Sequence, residues 1–326
     1  MKHTLIYSVT MAIILAACSD AVDPARFDVG IATGTGAAGE PVRFLFNGNP
    51  DYITFYSGED GCDYNASDRY EADITALRLS CAVRQQYNSV EYLGQQLIFA
   101  YVSTDFNGDY SPEGINAASW TPITGDGDNC LPVPVPASAA AVSCSGSIDL
   151  GQYTGTSQPF YIAFLYNAPG RATIPPSNGG GRYVVKPRID ITDLIMTKTL
   201  DDGSIKLLDN ASDQFGLRPV YESSYNRTNF RVNDDGLLFQ PAQAVADPLT
   251  GREPDERVWM VSTLIDPRKV DPDRGIPIKS IEGRLTEYEH VYSQPGTYTA
   301  TFVATNANMW DCSTRAGSSL RRISTR

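Results

Sequence analysis

The segment "DFNGDY" carries three oxygen-bearing side chains at alternate positions, Asp105, Asn107 and Asp109. Oxygen atoms spaced in this way on one turn can bind Ca²⁺. The full calcium-loop signature is missing, because a Gly stands one place early and no Glu occupies the twelfth position. The segment therefore predicts either a solvated turn or a structural Ca²⁺ site, and the sequence indicates no other cofactor.

Aromatic side chains make up 10% of the chain, and their flat faces could stack on sugars. Trp120 in "ASWTPIT" and Trp259 in "RVWMVST" lie among alternating apolar residues, which is typical of buried strands. Tyr110 and Trp310, the latter beside "NANM", fit exposed positions better. We therefore expect Tyr110 and Trp310 to be the aromatic residues that contact a ligand.

The inventory of histidines argues against an enzyme. The chain has two, His3 in the apolar N-terminal segment and His290 inside "YEHVY". Ser-His-Asp, Cys-His and His-ligated zinc chemistry would all depend on His290 alone, so we expect a non-enzymatic protein. Paired carboxylates, as in glycosidases, stay open because 38 acidic residues are present, although no spacing singles out an acid and a base.

Five cysteines follow Cys18, so they cannot all pair with one another. Cys130 and Cys144 flank the proline-rich "LPVPVPASAAAVS", and a bridge between them would stabilise the fold by about 3 kcal/mol. We expect this disulfide first and Cys62 to Cys81 second, which leaves Cys312 unpaired. A zinc site is disfavoured because there is no C-x-x-C pair and no nearby His.

Residues 1–18, "MKHTLIYSVTMAIILAAC", combine Lys2, an apolar run and small residues before Cys18. The run is too short to cross a bilayer, so it predicts a secretory signal. Its end, "LAAC", resembles a bacterial lipobox, which implies that Cys18 carries lipid and attaches the protein to a membrane. The alternative is an ordinary cleaved signal with an incidental Cys. Residues 19–26 then form a polar tether, and the net charge of −12 argues against a nucleic-acid partner.

The clearest strand pattern lies near the end of the chain. "YEHVY" (288–292) and "TYTATFV" (297–303) alternate large and small residues around "SQPG", which predicts a hairpin. A hairpin alone is only marginally stable, and the best complement is the alternation in "VRFLF" and "YITFY" near residues 42–56. We therefore predict a nested chain in which residues 27–76 and 258–315 build one β-sandwich. Residues 316–326 show little alternation and predict an irregular tail.

The intervening residues 77–257 contain repeated short apolar runs separated by Gly, Pro, Asn and Asp. No window shows the sustained spacing of an amphipathic helix, and the length suits one sandwich. The sequence therefore predicts an all-β protein with little helix.

Three stretches of this insert, "AYVSTDFNGDYSPEGINAASWTPIT", "SGSIDLGQYTGTSQPFYIAFLY" and "RIDITDLIM", resemble the galactose-binding-like jelly roll of choice-of-anchor modules. "GIPIKSI" through "PGTYTATFVATN" resembles the end of a polycystic-kidney-disease (PKD) immunoglobulin-like domain. With "FLFNGNPDYITFYSGEDG", the chain resembles a bacterial surface-lipoprotein family known as domain of unknown function 5017. The resemblance implies a surface-exposed lipoprotein of the outer membrane, often found beside glycan-uptake machinery.

These observations together predict a non-enzymatic carbohydrate-binding module anchored in the cell envelope. A structural or adhesive lipoprotein that binds a protein partner is the alternative, and an extracellular glycan hydrolase is the third.

Overall fold

The computed structural model describes residues 25–32, 35–125, 127–172, 184–209, 215–224, 229–234, 236–241, 252–307 and 315–325. The chain is all-β, which confirms the predicted fold class. It divides into two compact units. Unit 1 combines the chain ends, Met1–Arg69 and Pro272–Arg326, and unit 2 is the intervening Tyr70–Asp271.

The strands, in chain order, are β1 (Phe27–Ile31), β2 (Thr35–Gly36), β3 (Pro41–Gly48), β4 (Tyr52–Tyr56), β5 (Ile74–Gln86), β6 (Ile98–Ser103), β7 (Thr121–Pro122), β8 (Val142–Asp149), β9 (Tyr161–Ala168), β10 (Arg188–Leu200), β11 (Ile205–Asp209), β12 (Arg218–Ser223), β13 (Phe230–Asn233), β14 (Gly236–Phe239), β15 (Glu256–Val261), β16 (Ile276–Lys279), β17 (Glu287–Val291), β18 (Gly296–Asn306) and β19 (Arg315–Thr325). The described helices are short: α1 (Pro112–Ala117), α2 (Gly151–Thr154) and the 3₁₀ turns Tyr64–Ala66 and Val90–Tyr92.

Unit 1 has two sheets, with strand orders β1-β3-β17 and β16-β4-β18-β19-β2. The described pairs are antiparallel except β2 with β19, which is parallel. Each sheet therefore combines strands from both ends of the chain. The alternation in β3 turns Val42, Phe44 and Phe46 inward, where Phe44 meets Phe302 of β18 with ring centroids 4.9 Å apart.

The predicted hairpin at residues 288–303 is wrong in its pairing. β17 pairs with β3, whereas β18 pairs with β4 and β19, so the two strands belong to different sheets. The connection between them contains Tyr292, which is fully buried and donates its hydroxyl to the Ser57 carbonyl. The chain crosses from one sheet to the other at this buried side chain. Alternation of large and small residues does not show that two successive strands belong to different sheets.

The predicted irregular tail is also corrected. Residues Arg315–Thr325 form β19, which pairs with β18 along its whole length from Gly296 to Asn306. Backbone hydrogen bonds form this ladder, so a strand can form there without alternating side chains.

Unit 2 has one sheet with the order β13-β14-β10-β5-β8, to which β11 adds on β10, and a second with the order β12-β15-β9-β6-β7. The main core of unit 2 includes residues from both sheets, among them Leu79 of β5, Ile191 of β10, Phe164 of β9 and Met260 of β15. The predicted boundaries at 76/77 and 257/258 fall inside β5 and β15, and the pairing of β15 with β9 and β12 assigns it wholly to unit 2.

Candidate functional site

The second sheet of unit 2 is apolar on both of its faces. Residues of one parity, such as Ile162 and Phe164 of β9 and Val258 of β15, join the main core. Residues of the other parity, including Leu165 of β9 and Trp259 of β15, form a separate cluster. This is why "PFYIAFLYNA" and "RVWMV" read as nearly continuous apolar runs instead of alternating strands.

The separate cluster contains a chain of contacting rings, which we call the aromatic row: Phe99, Tyr101, Trp259, Trp120 and Phe106. Successive ring centroids are 6.5, 5.3, 5.4 and 5.4 Å apart in that order. Trp259 and Phe106 are buried, whereas Phe99, Tyr101 and Trp120 are half-buried. These three side chains therefore keep part of their surface in contact with solvent.

The segment between β6 and β7 covers one end of this face. Its helix α1 begins after Ser111, whose hydroxyl accepts a hydrogen bond from the Gly114 N–H at 3.0 Å. The Trp120 indole N–H donates to the Ile115 carbonyl at 2.9 Å, which fixes the indole against the helix. The position of the Trp120 ring is thus fixed by a hydrogen bond as well as by ring packing.

A charged pair lies beside the row. Glu222 of β12 accepts a hydrogen bond from the Trp259 indole N–H on one carboxylate oxygen and from Arg257 Nε on the other, each at 2.5 Å. The Arg257 guanidinium lies 5.8 Å from the centre of the Trp259 ring. Among the described residues, Glu222 contacts Arg257 through Nε, and the Arg257 side chain is 36% exposed, so its Nη groups can donate to a ligand.

Tyr101 has a pKa above its ordinary value, since burial disfavours the charged phenolate and outweighs the opposing effect of Arg257. The hydroxyl therefore stays protonated at neutral pH and can donate a hydrogen bond. Aromatic faces flanked by a hydroxyl and a guanidinium fork can stack on an apolar ring and bind polar groups at its rim.

The structure places the predicted calcium ligands in a hydrogen-bonded turn. Asp105 Oδ1 accepts from the Ser103 hydroxyl at 2.8 Å and from the Ser119 N–H at 2.9 Å, and Asn107 Oδ1 accepts from the Asp109 N–H at 2.9 Å. Within the described ranges, no group of three or more His, Cys, Asp or Glu side chains is arranged to hold a metal ion. Ca²⁺ binding stays a prediction, which a melting temperature insensitive to excess EDTA would refute.

Of the two predicted ligand-contacting aromatic residues, Tyr110 lies at the edge of the candidate face. Its ring contacts Phe106, its hydroxyl donates to the Ser262 carbonyl, and the Arg218 guanidinium lies 5.0 Å from its centre. Trp310 lies outside the described residues. Trp259 is buried as predicted, but its neighbours Phe99, Tyr101, Arg257 and Glu222 were missed. The sequence feature that could have identified them is that β6, β9 and β15 carry apolar residues at odd and at even positions.

Neither predicted disulfide is bonded, because Cys62, Cys81, Cys130 and Cys144 all carry free thiols. Cys130 follows Asn129, whose side chain is hydrogen-bonded to Asp149, whereas Cys144 lies five residues earlier on β8, about 17 Å along an extended strand. Cys62 belongs to unit 1 and Cys81 to unit 2. The predicted lipidation residue Cys18 and the predicted unpaired Cys312 lie outside the described residues.

His290 of β17 has a partner far away in sequence. Its Nε2 lies 2.8 Å from a Glu59 carboxylate oxygen, and its ring packs edge-on against Phe55 and Tyr292. These contacts join the loop after β4 to β17 within unit 1, which is a structural role for the imidazole.

No helix in the described part of the chain is long and apolar enough to cross a membrane.

Neither the curated proteins nor the solved structures contain a significant match. A family profile described as "Domain of unknown function (DUF5017)" matches residues 16–214, which is more than half of the chain. The matched range includes β6, β9 and the segment between β6 and β7 that contains α1. The chain therefore belongs to the DUF5017 family.

Proposed function

We propose that this protein is a lipid-anchored, non-enzymatic carbohydrate-binding protein displayed at the surface of the outer membrane. The observation that carries the binding role is the aromatic row with the Arg257–Glu222 pair beside it. Pyranose rings have apolar C–H faces that pack on aromatic rings, and their hydroxyl groups accept from donors such as Nη of Arg257 and the Tyr101 hydroxyl.

The half-buried members of the row suit this role better than fully exposed rings would. Phe99, Tyr101 and Trp120 are held by ring contacts and, in the case of Trp120, by a hydrogen bond to the backbone. A ligand therefore meets side chains that lose little conformational entropy on binding.

The lipid anchor rests on the N-terminal pattern. The "LAAC" segment places Cys18 where a lipobox would, and acyl chains contribute about 0.8 kcal/mol per buried methylene to membrane binding. Cells that express the Cys18→Ala variant should lose both membrane retention and incorporation of an alkyne palmitate. Persistent label and membrane retention in the variant would refute the anchor.

We also propose the finer domain assignment, with unit 1 as a PKD-type immunoglobulin-like sandwich and unit 2 as a galactose-binding-like jelly roll. The two antiparallel sheets of unit 2, packed around one apolar core, support this assignment. An experimental structure that superposes on neither fold would refute it.

Affinity electrophoresis through gels that contain a panel of polysaccharides tests the binding role. Wild-type protein should be retarded by at least one neutral or acidic polysaccharide, and the Tyr101→Ala and Trp120→Ala variants should migrate faster in that gel. Tyr70→Ala is the matched control, since Tyr70 is 66% exposed and is also in unit 2 but lies outside the aromatic row. Equal retardation of all four proteins would contradict the assignment to this face.

An adhesive role through a protein partner is the second candidate. Three exposed apolar side chains support it, because Tyr87, Val90 and Val185 are 61%, 69% and 52% exposed, and the Ser89 hydroxyl donates to the Val185 carbonyl between them. Exposed apolar side chains that lie together are typical of interaction surfaces. If no glycan retards the protein, and if Val90→Asp abolishes attachment of protein-bearing cells to a surface coated with a protein that the wild type binds, this role replaces the first.

A further inference from the structure

Two free cysteines of unit 2 are neighbours on adjacent strands. The register of β5 and β8 pairs Cys81 with Gly146 and Val83 with Cys144. Residues two apart on a strand face the same way, so Cys81 and Cys144 lie on the same face as diagonal neighbours. That face packs in the main core, which includes Cys81 and contacts the half-buried Cys144.

The two thiols differ in their access to solvent. Cys81 is 4% exposed, and burial, with a smaller contribution from Cys144, raises its pKa to about 12. Cys144 is half-buried, and its pKa is raised by burial. Both groups are therefore thiols at neutral pH, and Cys144 is the one that a reagent in solution reaches first.

We propose that Cys81 and Cys144 form a disulfide that ties β8 to β5 when the protein meets a disulfide oxidant. Diagonal neighbours have Cα atoms about 7–8 Å apart, whereas disulfides need about 4.4–6.8 Å. Closing the remaining distance requires a shift of the β8 backbone, and among the described strands β8 is the edge of its sheet, with β5 as its neighbour. Neither of the pairs predicted from the sequence has such a neighbouring register.

The chemistry is ordinary thiol–disulfide exchange. The Cys144 thiol loses its proton, and its sulfur attacks a disulfide such as oxidised glutathione, releasing one glutathione thiolate and leaving a mixed disulfide on Cys144. Cys81 then loses its proton and attacks the Cys144 sulfur, which expels the second glutathione thiolate. Two protein thiols are oxidised to one disulfide, and one oxidant disulfide is reduced to two thiols, which take up the two protons.

The proposed function places the protein outside the cytoplasm, where compartments favour disulfides, and the disulfide rests on that location only for its natural oxidant. A test with purified full-length protein and added oxidised glutathione does not depend on location. Its failure would overturn the pairing and leave the proposed function untouched, whereas the glycan-gel experiment tests that function without reference to the thiols.

The measurement is non-reducing peptide mapping after oxidation in native buffer, with iodoacetamide added during denaturation. We expect a linked pair of peptides that contain Cys81 and Cys144, with Cys62 and Cys130 alkylated. The Cys144→Ala variant should lose the linkage, and the Cys130→Ala variant should keep it. Alkylation of both Cys81 and Cys144, or linkage of either to another cysteine, would overturn the proposal.

A second readout distinguishes the crosslink from simple packing of the two thiols. Oxidation should raise the melting temperature of the wild type and of Cys130→Ala, and reduction should reverse the rise. Cys144→Ala should show no oxidation-dependent change, although its melting temperature in reductant can differ from that of the wild type. An equal rise in Cys144→Ala would contradict the proposed linkage.

Discussion

Glu222 is the residue that fixes the polar side of the aromatic row. Its two carboxylate oxygens accept from Trp259 and from Arg257, so one side chain orients an indole and a guanidinium together. Hydrogen bonds that involve an ionised group are stronger than neutral ones, and those to a mostly buried carboxylate are screened less by water. The side chain of Glu222 is 15% exposed, which meets this condition.

The Glu222→Ala variant should therefore lower the free energy of unfolding by about 1.5–3 kcal/mol, because it leaves two donors without their acceptor. Urea unfolding followed by circular dichroism measures this change. Glu287→Ala is the matched control, since Glu287 is 57% exposed and lies 4.0 Å from Arg43, a pair expected to contribute about 0–1 kcal/mol. Equal effects of the two substitutions would show that the Glu222 hydrogen bonds are not stabilising.

The stabilising effect of Asp105 should depend on pH. Hydrogen bonds from Ser119, and then from Ser103, hold the pKa of this carboxyl below its ordinary value. A depressed pKa means that the stabilisation is complete above the unfolded-state value of about 3.9 and is lost as pH falls through the folded-state value. Asp105→Asn should therefore melt below the wild type at pH 7, and the difference should shrink in acid. Asp234→Asn, on an exposed turn, controls for the loss of one surface charge; a pH-independent difference would contradict the assignment.

The candidate site could be predicted only in part at this scale. Tyr110, which was expected to be exposed, is half-buried at the edge of the face, and Trp120, which was expected to be buried in a strand, is half-buried as well. Their partial exposure depends on where the segment between β6 and β7 stops covering the sheet. That coverage is a tertiary property, and alternation reports only which side of a strand a residue occupies.

At the scale of elements, the two sheets of unit 1 meet through aromatic rings of β3, β4 and β18. Phe302 of β18 contacts Phe44 and Phe46 of β3 and Phe55 of β4, with centroids 4.8–5.2 Å apart. It is fully buried, and its ring contacts join β18 and β4 of one sheet to β3 of the other.

Phe302→Ala should destabilise unit 1 by about 3–5 kcal/mol, because the cavity left behind adds to the lost burial of the ring. Val291→Ala, at a position 48% exposed on β17, should change stability by less than about 0.5 kcal/mol. Hydrogen exchange separates the units: protection should fall in β3, β4 and β18 and persist in β5 and β10. Loss of protection throughout the chain would contradict the separate cores.

Alternation predicted the strands themselves well, since β3, β4, β17 and β18 all lie where the pattern placed them. It did not predict which strands pair. The buried Tyr292 separates β17 from β18, and β19 forms through its backbone ladder with β18 despite weak side-chain alternation. Strand pairing depends on the connections between strands and on hydrogen bonds to strands distant in sequence, and the local side-chain period predicts neither.

At the scale of the whole molecule, the chain enters and leaves unit 2 at adjacent positions. The Ala72 N–H donates to the Arg268 carbonyl at 2.9 Å, and the Val270 N–H donates to the Tyr70 carbonyl at 3.0 Å. The insert therefore begins and ends on one short ladder, and its core is built from its own residues.

Residues 70–271 expressed alone should therefore fold, because the excised ends are held together by the same ladder and domains with their own core tend to fold alone. Thermal and urea unfolding should each show one cooperative transition, with near-ultraviolet circular dichroism that disappears in that transition. A fragment without a cooperative transition would show that unit 2 needs unit 1.

The most direct test of the carbohydrate-binding proposal is calorimetric titration of the polysaccharide that retards the wild-type protein most strongly. Tyr101→Ala and Trp120→Ala should each weaken binding by about tenfold or more, which is about 1.4 kcal/mol, while Tyr70→Ala should bind like the wild type. Circular dichroism should first establish that all variants are folded. Unchanged affinity in folded Tyr101→Ala and Trp120→Ala proteins would contradict the assignment of glycan binding to the aromatic row.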